Sequence, residues 1–107
     1  MAWAALIVSG ICEVIWAFAM KQSQGFTLLL PSIVTAAAAI LGFGLLAFAM
    51  RSLPLGPTYA IWTGIGAVGT FLLGVVFLGE AASLPRLIAA ALILAGLLLM
   101  ALSSSGD

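Results

Sequence analysis

The chain contains very few charged residues and no histidine. Among its 107 residues, three are Lys or Arg and three are Asp or Glu, so the formal net charge is zero. Charged residues make up 6% of the chain, against about 25% in a soluble domain, which excludes an ordinary soluble fold. The chain also has no basic patch, so we do not expect it to bind nucleic acid.

Cysteine is equally scarce. Cys12 is the only one, so no disulfide can form within the chain. Without histidine a transition-metal site lacks its usual ligands, and we expect no metal and no other cofactor. The sequence offers no nucleophile–base pair either, and we therefore do not expect an enzyme.

Hydrophobic residues make up 65% of the chain and fall into four long runs. The runs predict transmembrane helices over residues 2–20, 28–50, 57–78 and 84–102, followed by a frayed polar tail over 103–107. Because the polar breaks are short, consecutive helices are expected to lie antiparallel. The predicted fold is an all-α integral membrane protein, with a single four-helix transmembrane domain over 1–107.

Glu13 is the only charged residue between positions 2 and 20. A helix over that span is about 28 Å long and crosses the hydrocarbon core, so Glu13 is expected inside the bilayer. An ionised acid there costs roughly 3 kcal/mol, whereas each large apolar residue contributes only about 0.3–0.6 kcal/mol to insertion. So costly a residue indicates a functional site. The alternative is a structural acid capped by a neighbouring helix.

Aromatic residues accompany this acid. Trp16 follows Glu13 by three residues and shares its helix face, and Tyr59 and Trp62 share a face of the third run. A carboxylate with aromatic walls is typical of an organic-cation site. A planar guanidinium fits best, because it can bond a carboxylate through two N–H groups and stack on rings. Alternatively, Trp16 and Tyr59 are interfacial residues at headgroup depth.

Small residues indicate where helices bend or pack. Glycines 64, 66, 69 and 74 make the third helix the easiest to bend, with packing alone as the alternative. Ala89 and Gly96 are seven residues apart in the fourth run, which has no membrane-buried charge or aromatic residue. We therefore predict that this helix packs in a dimer.

The distribution of positive charges hardly favours one orientation of the protein in the membrane over the other. Arg51 lies on one side of the membrane and Lys21 and Arg86 lie on the other, so the positive-inside rule has almost no bias to act on. Either another determinant sets the orientation, or copies insert both ways and pair as an antiparallel dimer. Two opposed copies would supply the inverted repeats between which transporters commonly build a midplane site.

Several motifs together resemble the small multidrug resistance family. Besides Glu13 and Trp16 they are Gly25-Phe26-Thr27, Pro31-Ser32 and Gly56-Pro57-Thr58-Tyr59-Ala60-Ile61-Trp62-Thr63-Gly64-Ile65-Gly66. The likeness extends over essentially the whole chain. It implies a multi-pass protein of the bacterial inner (plasma) membrane that forms an antiparallel, dual-topology homodimer and works by proton-coupled alternating access.

The resemblance also implies roles for individual residues. Glu13 of both subunits would bind substrate or proton, Tyr59 and Trp62 would line the site, and Gly64 and Gly66 would belong to the bend in the third helix.

One branch of the family fits best. Trp16 beside Glu13, together with the small residue Gly10, resembles the guanidinium-exporter branch. That branch usually has a serine where this chain has Gly42. We expect Gly42 to open the site for substituted guanidines such as guanylurea.

The leading hypothesis is a proton-coupled antiporter that exports guanidinium or small substituted guanidinium cations, with Glu13 binding proton or cation in competition. An exporter of bulkier quaternary ammonium or aromatic cations is the alternative, and a small membrane pore or assembly subunit is a remote one. The expected partners are a small organic cation, protons, the lipid bilayer and a second copy of the chain.

Overall fold

A computed structural model describes residues 1–104 and consists of four α-helices: α1 (Ala2–Gln22), α2 (Leu29–Ala49), α3 (Leu55–Phe77) and α4 (Leu84–Ser104). Each helix is long and apolar enough to cross a membrane. The described part of the chain contains no strand. The prediction of an all-helical protein with four transmembrane helices is therefore confirmed.

The ends of the helices follow local chemistry. Pro54 is extended, with φ −67° and ψ 149°, and α3 begins directly after it. Ser103, expected in a polar tail, is helical and donates a hydrogen bond to the carbonyl of Met100 at 3.0 Å. The rest of that predicted tail beyond Ser104, residues 105–107, lies outside the described residues.

The connection between α1 and α2 is a tight turn around a buried serine. The Ser23 hydroxyl donates to the carbonyl of Met20 at 2.6 Å and accepts from the backbone N–H of Phe26 at 3.0 Å. Gln24, Gly25 and Phe26 follow with φ of 51°, 73° and 66°, a left-handed run that reverses the chain within a few residues. Helices α1 and α2 consequently pack along much of their length.

The helices lie side by side in a slab. α1 packs against α2 and α3, and α4 packs against α3. The Cα atoms extend over 44 × 34 × 16 Å, so the thinnest dimension is little more than one helix diameter of about 10–12 Å. The small core consists of Ala5, Leu6, Leu46, Ala49, Ile61 and Trp62. No described residue in the most apolar window of α4 is buried.

Candidate functional site

Glu13 lies halfway along α1, on the side that faces α3, and is partly buried. Its carboxyl group rests against Gly66 of α3. A Cβ placed on Gly66 would overlap the Oε1 atom of Glu13, so only glycine at that position leaves room for the carboxylate. The absence of a side chain on α3 therefore determines where the acid of α1 lies.

The carboxyl group opens into a groove of about 350 Å³ between α1 and α3. Trp16 and Ala17 line the groove from α1, and α3 contributes Thr63, Gly66, Ala67 and Thr70. Within residues 1–104, the Glu13 carboxylate has no hydrogen-bond or ion-pair partner, and no basic residue lines the groove. The arrangement offers an unpaired acceptor beside an aromatic ring, which can bind a proton or a small organic cation.

Tyr59 and Trp62 come together, but outside this groove. Their ring centroids are 5.6 Å apart, and the ring of Phe43 lies 5.8 Å from that of Trp62. Trp62 is 6% exposed in the core, and among the described residues its buried Nε1 has no hydrogen-bond partner. Tyr59 is 54% exposed. Their participation in the same site as Glu13 stays a prediction.

Gly10 and Gly42 are placed at contacts between helices. A Cβ on Gly10 would lie 2.7 Å from Cγ2 of Ile65 in α3, and one on Gly42 would lie 3.0 Å from Cβ of Cys12 in α1. Both are buried and neither lines the groove. They set how closely α3 and α2 approach α1, and their effect on substrate binding stays a prediction.

The remaining predicted residues lie on α3 and α4. α3 is one continuous helix through Gly64 and Gly66. Because Gly64 has no side chain, Cδ2 of Leu97 in α4 lies only 2.9 Å from where a Cβ on Gly64 would be. Ala89 and Gly96 lie on exposed parts of α4, and no described atom lies within 4 Å of a Cβ built on Gly96. The hinge and the dimer contact remain predictions.

Thr63 and Thr70 line the groove, although neither was among the site residues predicted from the sequence. A signal was available in the sequence, because residues 63, 66, 67 and 70 follow the i, i+3, i+4, i+7 spacing of one helix face. What the sequence did not indicate was that this face of α3, rather than the face of Tyr59 and Trp62, would meet Glu13.

Comparisons with known proteins agree with this architecture. The family model described as Small Multidrug Resistance protein matches residues 1–93. A guanidinium exporter of Yersinia pseudotuberculosis serotype I is 55% identical over 104 residues, which cover 97% of this chain and 100% of that protein. Guanidinium exporters of Citrobacter freundii and Proteus vulgaris are 49% and 47% identical over the same share of this chain, covering 99% and 100% of their own lengths.

Each of these relatives is a bacterial exporter by name, and each matches the chain across all four helices. Four membrane-length helices and these relatives make it a multi-pass protein of the bacterial inner membrane. The chain belongs to the small multidrug resistance family.

Proposed function

We propose that the protein is a proton-coupled antiporter that exports guanidinium or small substituted guanidinium cations. The observation that carries the proposal is the unpaired carboxylate of Glu13, midway along α1 and beside Trp16 in an open groove. A lone ionised acid in the bilayer is costly, so it is stable there only with a proton or a cation.

The proposed substrate class rests on the residues that line the groove and on the names of the relatives. A guanidinium can give the carboxylate two parallel N–H···O bonds while its flat face stacks on an indole ring. Glu13 and Trp16 supply these two elements side by side. Relatives named as guanidinium exporters, 47–55% identical across 97% of the chain, support the same choice.

Coupling follows from competition at one carboxylate. Glu13 holds either a proton or a cation, so a cation that leaves on the outer side is replaced there by a proton. When the site changes sides only while occupied, the proton is carried inward and is exchanged for the next cation. The proton gradient thereby drives the cation out of the cell.

The proposed working unit is an antiparallel homodimer. One subunit is a thin slab whose groove is lined by α1 and α3 alone, so the site needs a second surface to close it from lipid and water. A second copy would supply that surface, with the exposed ring of Tyr59 facing it. The nearly balanced loop charges allow both insertions at similar free energy, as an antiparallel pair requires.

Proteoliposomes with a pH-sensitive dye inside test the proposed transport. With the wild-type protein, guanidinium added outside is expected to drive protons out of the liposome lumen, so that the internal pH rises. An imposed pH gradient, acidic inside, is expected to accumulate guanidinium in the lumen. Glu13→Gln, which keeps the shape but not the charge, should abolish both. Glu80→Gln in the connection before α4 is the matched control and should retain them. Uphill transport by Glu13→Gln would overturn the proposal.

Dual topology is tested separately. Ser52→Cys in a Cys12→Ala background places a single thiol in the exposed connection between α2 and α3. An impermeant maleimide is expected to label about half of the molecules from each side of the membrane, as two opposite insertions require. Labelling from one side only would contradict the antiparallel dimer.

A larger substrate has one observation in its favour. Ala67 lines both the Glu13 groove and a neighbouring cavity of about 640 Å³ between α3 and α4, so the two spaces share a wall. Competition between guanidinium and an aromatic quaternary ammonium distinguishes the two functions. The proposed guanidinium exporter should prefer guanidinium, and a multidrug exporter should prefer the bulkier cation.

A further inference from the structure

Several hydroxyl groups of the helices are satisfied within their own helix. Four of them donate to a carbonyl of the preceding turn: Ser9 to Leu6, Ser32 to Leu28, Thr35 to Pro31 and Ser103 to Met100. In a membrane, where no water is at hand, this is the usual way to satisfy a hydroxyl. The threonines of α3, which are Thr58, Thr63 and Thr70, differ, because within residues 1–104 none of their hydroxyl groups takes part in a hydrogen bond.

Of these three residues, Thr63 and Thr70 line the groove that holds Glu13. Gly66, against which the carboxylate rests, lies between them on α3. At ~1.5 Å rise per residue, Thr63 precedes Gly66 by about 4.5 Å along the helix axis and Thr70 follows it by about 6 Å. A cation held by Glu13 therefore has an unsatisfied hydroxyl on each side.

The register between α1 and α3 separates the two threonines. The helices run parallel, with Val14 of α1 against Gly69 of α3 and Glu13 against Gly66. Trp16 comes after Val14, so it is level with Thr70 and not with Thr63. A flat substituent on the cation that stacks on Trp16 would therefore bring its polar atoms to the hydroxyl of Thr70.

The chemistry of a hydroxyl then determines which substituents fit. A guanidinium carries only N–H donors, so the hydroxyl can accept from it but finds on it no acceptor for its own proton. A carbonyl on the substituent supplies that acceptor. An alkyl substituent of the same size supplies none. It leaves the O–H without a partner on the cation in a site that the proposed dimer closes from water, which is less favourable.

We propose that Thr70 is a specificity-determining residue, whose hydroxyl donates to a carbonyl oxygen on the substituent of a guanidinium bound at Glu13. The site thereby prefers planar guanidinium cations with a carbonyl substituent over alkylguanidinium cations of similar size. This inference rests on the proposed function and adds to it the chemical class of the substituent.

Titration calorimetry in detergent with guanidinium, guanylurea and propylguanidinium tests this assignment. The quantity compared is the ratio of the Kd of each substituted cation to the Kd of guanidinium. Thr70→Val removes the hydroxyl at nearly constant volume, and it should raise the guanylurea ratio about five-fold, the effect of one hydrogen bond. The propylguanidinium ratio should stay constant or fall. Thr70→Ala is a second hydroxyl-free variant, and Thr70→Ser should keep the wild-type ratios.

Thr35→Val is the matched control, because its hydroxyl is bonded within α2 away from the groove. It should leave all ratios at wild-type values. An unchanged guanylurea ratio in both Thr70→Val and Thr70→Ala, with guanidinium still bound through Glu13, would overturn this inference alone. Failure of the wild-type protein to bind guanidinium, or binding that survives Glu13→Gln, would overturn the proposed function and the inference with it.

Discussion

The carboxylate of Glu13 in α1 occupies the space that a Cβ on Gly66 of α3 would need. The two residues are far apart in the sequence, yet the position of one depends on the missing side chain of the other. The packing of α1 on α3 at this contact therefore determines where the carboxylate lies in the groove. A change on α3 should therefore alter binding at an acid on α1.

Gly66→Ala should move the Glu13 carboxylate, because the added methyl group and the carboxylate cannot occupy the same space. We expect guanidinium affinity to fall about tenfold or more, in line with the cost of overpacking a close contact. Calorimetric titration with guanidinium measures it. Gly44→Ala is the control, since among the described residues nothing lies within 4 Å of its Cβ position. Unchanged affinity in Gly66→Ala would show that the contact does not hold the acid.

Guanidinium binding should weaken as the pH falls, because a proton and the cation compete for Glu13. Where Glu13 is mostly protonated, the apparent Kd should rise up to about tenfold for each pH unit lost, the limit for one competing proton. At higher pH, where the carboxyl is ionised, the Kd should become constant. Titrations across a pH series measure the slope, and Glu80→Gln should leave it unaltered. A Kd that does not vary with pH would contradict the competition.

Gly10→Ala should destabilise the contact between α1 and α3, because its Cβ would lie 2.7 Å from Cγ2 of Ile65. We expect a loss of about 1–3 kcal/mol in the free energy of unfolding, measured by denaturation in detergent. Adding Ile65→Ala should make the double variant more stable than the sum of the two single effects, by at least ~0.5 kcal/mol. Strictly additive losses would argue against this contact.

Gly42→Ser should narrow the site and favour guanidinium over substituted analogues. A Cβ at this position would lie 3.0 Å from Cβ of Cys12, the neighbour of Glu13, and 3.5 Å from the backbone oxygen of Ser9. We expect the preference for guanidinium over guanylurea to rise about fivefold, which corresponds to about 1 kcal/mol of added steric cost for the larger cation. Gly42→Ala separates added volume from the hydroxyl. The same ranking of cations in wild type and Gly42→Ser would remove the idea that Gly42 widens the site.

The helices and the acid at the centre of α1 could be predicted from the sequence. A bilayer requires every backbone polar group to be satisfied within its own segment, so long apolar runs have little choice but to form helices. Glu13 and Trp16 share a face because residues three apart in a helix always do. These predictions depend only on local helix geometry and on the free-energy cost of a charge in lipid. A single sequence is enough to judge each of these two factors.

The roles of the glycines and of the α3 faces were decided by tertiary structure. Gly66 receives Glu13, Gly64 receives Leu97, Trp62 enters the core, and Thr70 rather than Tyr59 lines the groove. Lipid tails are as apolar as these helices, so hydrophobicity does not choose which face turns toward a neighbour. Close side-chain packing makes that choice, and it depends on the rotation and register of two helices that hydropathy leaves open.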